Sequence, residues 1–399
     1  MGRDFEHIVI GAGISGLGMA HRSAKRGVST LVLEGSHRVG GCINSLTFPG
    51  CGGFWAEAGS HTCFNSYGHL LDILTDLGLT RRLVPKAKLR YSLWCGGERR
   101  SIFSALHPLE LTLSLPRLLM GVKANKGVAE FYGAGLGLRN YRDLFGPAFR
   151  AVICQDPDDF PADLLFRRKS RRKEVMRSFT FSGGLSDIVH TIAGQDALDV
   201  RTRQQSSGVS MDSHGFRVSL ADGGLLRSRY LTLAVPPDVA AALLPRGMEE
   251  LRTLVEKIGT SWIETLILCL PVGELGHLPP LAGLISVDGA FYSMVSRDYL
   301  PDERYRGFAF HFPRGSLDAD AQVTHICGVL GIDAEKIVGL SRVSNRLPVL
   351  RTGHQDLVQR IDKELAGGRL AITGNWFLGV SIEDCLTRSH REFERLFPG

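Results

Sequence analysis

Apolar positions set the first landmarks along the chain. His7-Ile8-Val9-Ile10 is a short, β-branched run, the pattern of a parallel strand buried on both faces. Gly11-Ala12-Gly13-Ile14-Ser15-Gly16 interrupts it, and helix formers then run from Leu17 to Arg26 with Leu17, Ala20 and Ala24 on one face. Gly27 stops that helix, and Thr30-Leu31-Val32-Leu33 starts a second apolar run. The pattern predicts strand, turn, helix and strand in immediate succession. Val200 to Pro236 reads as further strands, with turns at Ser213-His214-Gly215 and Asp222-Gly223-Gly224. Trp262 to Leu270 is a strand with one acid, Glu264, inside an apolar run; alternation alone leaves both faces open to it. The most apolar stretch, Ile102 to Val122, is broken by His107, Pro108, Glu110, Pro116 and Arg117. It makes no comfortable membrane span. Burial in a second domain is expected, with contact at a membrane surface as the alternative.

Composition narrows the picture. A chain of 399 residues with 44% hydrophobic and 22% charged positions has enough apolar material for two interleaved domains in one body. The net charge of +6 is mild and gathers in no tail, which argues against nucleic acid as a partner. Eight cysteines form no C-x-x-C pair, so no metal site is expected, and buried free thiols point to a reducing cytoplasm. The first strand starts at Phe5 with no signal-peptide pattern before it, and Glu6 stands where myristoylation needs Ser or Thr. The densest charge, Arg167 to Lys173, reads as a solvated face.

The glycine turn carries the first chemistry. Gly11 permits a tight turn off the strand, Gly13 lets backbone approach a pyrophosphate, and Gly16 lets the helix pack on the sheet. The N–H groups of Gly13, Ile14 and Ser15 then lie at a helix start, where an anion is favoured. Glu34 closes the second strand eighteen residues after Gly16, where a carboxylate accepts hydrogen bonds from ribose hydroxyls. Such a unit holds a dinucleotide, either FAD or NAD.

The residues from Glu34 onward decide between them. Glu34-Gly35-Ser36-His37-Arg38-Val39-Gly40-Gly41-Cys42 resembles the E-x-x-x-R-x-G-G segment of the amine oxidase and protoporphyrinogen oxidase superfamily. Cys42 stands where many members carry arginine. Ala56-Glu57-Ala58-Gly59-Ser60-His61 resembles the segment passing beside the isoalloxazine. Leu93 to Glu98 and Ser178 to Leu185 are similar to the family's entry to and return from the substrate domain. Gln205 falls at the adenine-side backbone contact, usually valine. Near the C-terminus, Leu347-Pro348-Val349-Leu350-Arg351-Thr352-Gly353-His354 is similar to the LP-x-Y-x-x-GH element, and Gly374-Asn375, Gly379-Val380 and Asp384-Cys385 to the family's GN, GV and DC pairs.

The resemblance implies an α/β fold: a Rossmann-type, glutathione-reductase-like FAD-binding domain (1–85, 181–259 and 341–399) interleaved with a mixed-sheet and helical substrate domain (86–180 and 260–340). It implies non-covalent FAD held by Gly11, Gly13, Ile14, Ser15, Gly16, Glu34, Gly35, Arg38, Gly40, Gly41, Cys42, Gly59, Ser60, Gln205, Ala234, Gly374, Asn375, Gly379, Val380 and Ser381. Cys385, at the DC position, is a packing residue. In such enzymes flavin N5 takes a hydride from a C–H beside nitrogen or within a reduced tetrapyrrole, and dioxygen reoxidises it. Candidate active-site residues are Trp376 and Phe377 as an aromatic wall, Glu264 as base or amine anchor, and His61 beside the flavin. An ordinary core or surface role is the competing reading for each. The functions in view are an oxidase of a small or tetrapyrrole CH–NH substrate, an amine or pyrroline oxidase, and a redox-neutral sugar-nucleotide mutase. The expected location is cytoplasmic, with contact at the inner membrane face left open.

Overall fold

The computed structural model describes residues 4–398. Two seven-stranded sheets organise it. The first is built on Asp4–Ile10, which pairs in parallel with Thr30–Leu33 on one side and Leu225–Leu233 on the other. Leu198–Arg201 extends it beyond Thr30–Leu33, and Leu370–Ile372 joins it alongside Leu225–Leu233. An antiparallel hairpin, Ser206–Asp212 and Gly215–Leu220, completes that edge. All four residues of Thr30–Leu33 are buried, as a strand covered on both faces requires.

Helix Ile14–Lys25 covers one face of this sheet. It lies against the C-terminal helix Ile382–Leu396 so closely that a Cβ on Gly18 would stand 2.4 Å from Leu386 Cδ2. Ser389 ties the two helices by donating from its hydroxyl to the Ser15 carbonyl at 2.8 Å. Beneath them, His7 is fully buried, with Nδ1 2.9 Å from Ser23 Oγ and Nε2 2.8 Å from Thr232 Oγ1. Burial pulls its pKa down to about 3, so the ring is neutral.

The second sheet runs Gly339–Val349, Gly259–Pro271, Tyr305–Pro313, Ser293–Ser296, Gly283–Ser286, Tyr91–Cys95 and Glu98–Ser101. The Gly259–Pro271 strand is its spine and is apolar on both sides. Leu266, Leu268 and Leu270 pack with Phe308, Phe310 and Phe312 under helix Ala319–Leu330. Ile267 and Cys269 turn the other way, onto Phe48, Phe54, Ala56 and Ala58.

The 102–122 stretch departs from the burial expected of it. It forms helix Pro108–Met120, whose outward residues Leu109, Leu113 and Met120 are exposed. Among the described residues no helix is long and apolar enough to cross a membrane.

Candidate active site

The glycine turn leaves a cradle of free backbone. Gly13 precedes helix Ile14–Lys25 with no side-chain cap and no acid in the first turn, so the leading N–H groups face outward as an anion site. A Cβ built on Gly13 meets nothing nearer than Gly41 Cα at 4.0 Å, whereas one on Gly11 would stand 2.3 Å from the Ala234 carbonyl oxygen. One on Gly16 would stand 1.9 Å from the Gly11 carbonyl oxygen. Gly11 and Gly16 are therefore packed against protein, while Gly13 opens onto space.

Glu34 closes the cradle. Its carboxylate accepts from the Ala12 N–H and the Ser36 N–H, both at 2.9 Å, leaving lone pairs on both oxygens. Gln205 lies beside it: a Cβ on Gly35 would be 3.7 Å from Gln205 Cα, and the Gln204 N–H donates to the Glu34 carbonyl at 2.9 Å. Gly40, at φ +107°, bridges to Gly13. The Arg38 guanidinium donates to the carbonyls of Val39, Ile43 and Gly41 at 2.8–3.3 Å, so it shapes this loop from behind. Burial holds the Cys42 thiol above its ordinary pKa.

From Cys42 the contacts run on to the next segment. The Ser60 N–H donates to the Cys42 carbonyl at 3.1 Å, and any side chain on Gly59 would collide with that oxygen, 2.1 Å from its Cβ position. Asn345 Nδ2 then donates to the Ala58 carbonyl at 3.2 Å. This joins the cradle to the second sheet on the Ile263, Thr265 and Ile267 face of the long strand, since Asn345 is paired with Ile263. On the same face Thr265 lies opposite His311, with Oγ1 and Nδ1 2.9 Å apart.

His61 belongs to this cluster. Its pKa is held down at about 3, by burial first and then by Lys86 and His311 nearby; burial takes His311 to about 4. Lys86 Nζ donates to the His61 carbonyl at 2.6 Å and to Thr62 Oγ1 at 2.5 Å, and stands 3.5 Å from the Tyr299 ring centroid. Burial lowers its pKa to about 8, with Glu57 opposing the shift. Glu57 is pushed up to about 7 by burial, although the Leu185 N–H and the Ser45 hydroxyl both donate to it. The wall facing Gly59 and Ser60 thus presents neutral imidazoles and hydroxyl and amide groups rather than a fixed carboxylate.

Three of the residues expected here from the sequence are engaged by other parts of the protein. Glu264 is on the opposite face of its strand, where it accepts from Gln322 Nε2 at 2.9 Å and lies 3.9 Å from Arg314 Nε. Thr265, one residue on, takes the inward place. Trp376 and Phe377 are core residues, 0% and 1% exposed, and stack on one another with centroids 4.1 Å apart. The Trp376 N–H donates to the Val235 carbonyl at 3.0 Å, and the Arg388 guanidinium sits 3.9 Å from the Phe377 ring centroid. His354 holds this pair from below through the Phe377 carbonyl at 3.2 Å.

Beyond them Gly374 is pinned against Trp376, and Gly379, at φ +133°, turns the chain into the C-terminal helix past Asn375 and Val380. Ser381 caps that helix, accepting from the Asp384 N–H at 3.1 Å. Lys169 crosses over from the basic run to Asp384 at 2.7 Å and Ser381 at 3.3 Å. That run is therefore not wholly a solvated face. The sequence did not single out Lys86, Thr265, His311 and Asn345, because each acts through a partner distant in the chain.

The donor set fits FAD: uncapped helix N–H groups for a pyrophosphate, a carboxylate with free lone pairs for a ribose, and glycine-lined backbone between them. Known proteins agree on a flavin. Residues 14–271 match the family described as flavin containing amine oxidoreductase. The chain is 43% identical over 56 residues, 13% of its length, to protoporphyrinogen oxidase of Schizosaccharomyces pombe. It is 33% identical over 165 residues, 39% of its length, to the flavin-dependent L-tryptophan oxidase RebO of Lentzea aerocolonigenes. These stretches span 11% and 33% of the two relatives. A structure assigned as a protoporphyrinogen oxidase from Exiguobacterium superposes with TM-score 0.77 at 16% identity over 98% of both chains. Reduced UDP-galactopyranose mutase superposes with TM-score 0.74 at 14% identity over 98% of this chain and 95% of that one. The fold alone therefore does not separate oxidases from mutases.

Proposed function

Because the chain belongs to the flavin containing amine oxidoreductases, and is a flavin-dependent oxidoreductase, we propose that it holds FAD non-covalently and oxidises a CH–NH bond. The substrate is an organic amine, or a reduced ring system carrying N–H as in a tetrapyrrole. The observation that carries this reading is the Thr265–His311 pair facing His61 and the Gly59-Ser60 segment, with both imidazoles held neutral. FAD, when bound, supplies a hydride acceptor at N5, with dioxygen as the terminal acceptor.

The chain's own part is binding and placement. Backbone N–H groups at Gly13, Ile14 and Ser15 take the pyrophosphate, and Glu34 takes the adenosine ribose. Lys86, by gripping the His61 carbonyl and Thr62, fixes the segment that would flank the flavin. A wall without a fixed carboxylate, and with the Lys86 ammonium near it, favours a substrate nitrogen in its neutral form, the form whose lone pair assists loss of hydride from the neighbouring carbon. Thr265 holds His311 through Nδ1, leaving its other ring nitrogen to offer that nitrogen a hydrogen bond without ionising, and holding the carbon in line is the remaining requirement.

The test is anaerobic mixing of the flavin-loaded protein with protoporphyrinogen, L-tryptophan and a panel of amines, followed at the oxidised-flavin band. Bleaching by one of them, with colour and peroxide returning on admission of air, is the expected outcome and identifies the substrate class. If none bleaches the flavin while the pre-reduced protein interconverts UDP-galactopyranose with its furanose isomer, the oxidase reading falls.

A further inference from the structure

Helix Pro108–Met120 is apolar on the side that should face water. Inward, it packs along Leu111, Ser114 and Leu118 onto the 134–136 turn, closely enough that a Cβ on Gly135 would lie 2.8 Å from Leu118 Cβ. Its one acid, Glu110, is also turned inward and accepts from the N–H groups of Arg139 and Asn140 at 3.2 and 3.3 Å. The outer face is left to Leu109 (75% exposed), Leu113 (70%), Leu119 (76%) and Met120 (85%), continued by Phe103 (77%) and Val122 (67%). Single exposed apolar residues are ordinary, but seven within one twenty-residue stretch, Leu115 (40%) included, mark a face that something covers.

Charge indicates what covers it. Residues 98–143 hold seven basic and four acidic side chains, a net of three positive charges in a chain whose net is six. Arg99 and Arg100 precede Phe103, Arg117 lies within the helix, and Arg139 and Arg142 come after it. Among the described residues Arg99 and Arg117 make no ion pair. A second copy of the chain would bring this basic rim against itself, a like-charge contact that costs stability. An anionic lipid surface accepts both parts, the apolar side chains at the acyl boundary and the arginines at the headgroup phosphates.

We propose that helix Pro108–Met120, with Phe103 and Val122, is a peripheral docking face for an anionic lipid surface. The test is co-sedimentation of the full flavin-loaded chain with vesicles of phosphatidylcholine alone and of phosphatidylcholine mixed with phosphatidylglycerol. Binding to the mixed vesicles, weakened by high salt, is expected, with at least a tenfold loss in a Leu113→Glu, Leu119→Glu double variant of unchanged flavin content. An Arg99→Glu, Arg117→Glu variant, altered only at exposed positions, should lose the salt-sensitive part and serves if the first fails to fold. The proposal is overturned if the wild type ignores the mixed vesicles at low salt, or if the variants bind as it does. It is equally overturned if the wild type binds no vesicle but sediments as a dimer that the leucine substitutions dissociate.

Discussion

Gly13 and Gly16 are three positions apart in one turn, yet substitutions there should fail in different ways. Gly13 opens onto free space, so Gly13→Val leaves the fold intact and fills the volume a pyrophosphate would occupy. The expected result is a variant with an unfolding midpoint near that of the wild-type apoprotein and at least a hundredfold weaker FAD binding, read by flavin fluorescence titration. Gly16→Ala sets a Cβ 1.9 Å from the Gly11 carbonyl oxygen, and backbone must shift to relieve it. Calorimetry on the apoprotein should show a loss of about 1–3 kcal/mol, the usual range for overpacking. Equal effects on folding and flavin binding at the two sites would contradict this division of roles. At the facing wall, Thr265→Val keeps the shape and removes one hydrogen bond to His311. That loss of about 1 kcal/mol predicts roughly fivefold slower flavin reduction by substrate in stopped flow. Glu264→Gln, one residue away on the other face, should change the same rate less than twofold.

At the level of elements, the sequence carried the N-terminal strand, glycine turn, helix and second strand plainly, because local rules govern them: β-branched burial, a glycine stop and helical spacing. The hairpin turns at Ser213-His214-Gly215 and Asp222-Gly223-Gly224 were legible for the same reason. The face of Glu264 was not. The Gly259–Pro271 strand is covered on both sides, so its apolar residues do not alternate with polar ones, and only its partners Gln322 and Arg314 fix the phase. Phe377 shows another limit: its place under Arg388 depends on a helix that starts five residues later. The outward leucines of helix Pro108–Met120 were hidden too, since an apolar run looks alike whether protein or lipid covers it. The Ser381 cap yields a prediction at this scale. Ser381→Ala frees the Asp384 N–H and should lower stability by about 1 kcal/mol, seen as a lower unfolding midpoint.

Over the whole molecule, buried ionisable groups set how stability varies with pH. Burial holds the pKa values of His7 and His61 at about 3 and that of His311 at about 4, against 6.5 when unfolded. Below 6.5 the unfolded chain binds the extra protons, so their contribution is complete above that pH and is lost as pH falls. Each costs about 1.4 kcal/mol per pH unit over that range. Glu57 runs the other way: raised from 4.5 to about 7, it stabilises fully below 4.5 and loses that contribution as pH rises through 7. Three histidines outweigh one glutamate between 4.5 and 6.5, so a set of thermal melts should show the unfolding midpoint highest near neutrality and falling on acidification. Glu57→Gln should steepen the fall below pH 6.5, where the carboxyl opposes the histidines, and remove the loss between pH 6.5 and 7.5 that the carboxyl alone causes. The proposed FAD site is tested most directly by the flavin content of the purified protein after incubation with FAD and removal of excess. A chain built in this way should be yellow, with close to one FAD per chain, all released into solution on denaturation. A folded chain that takes up no FAD, or keeps flavin attached after denaturation, would contradict it.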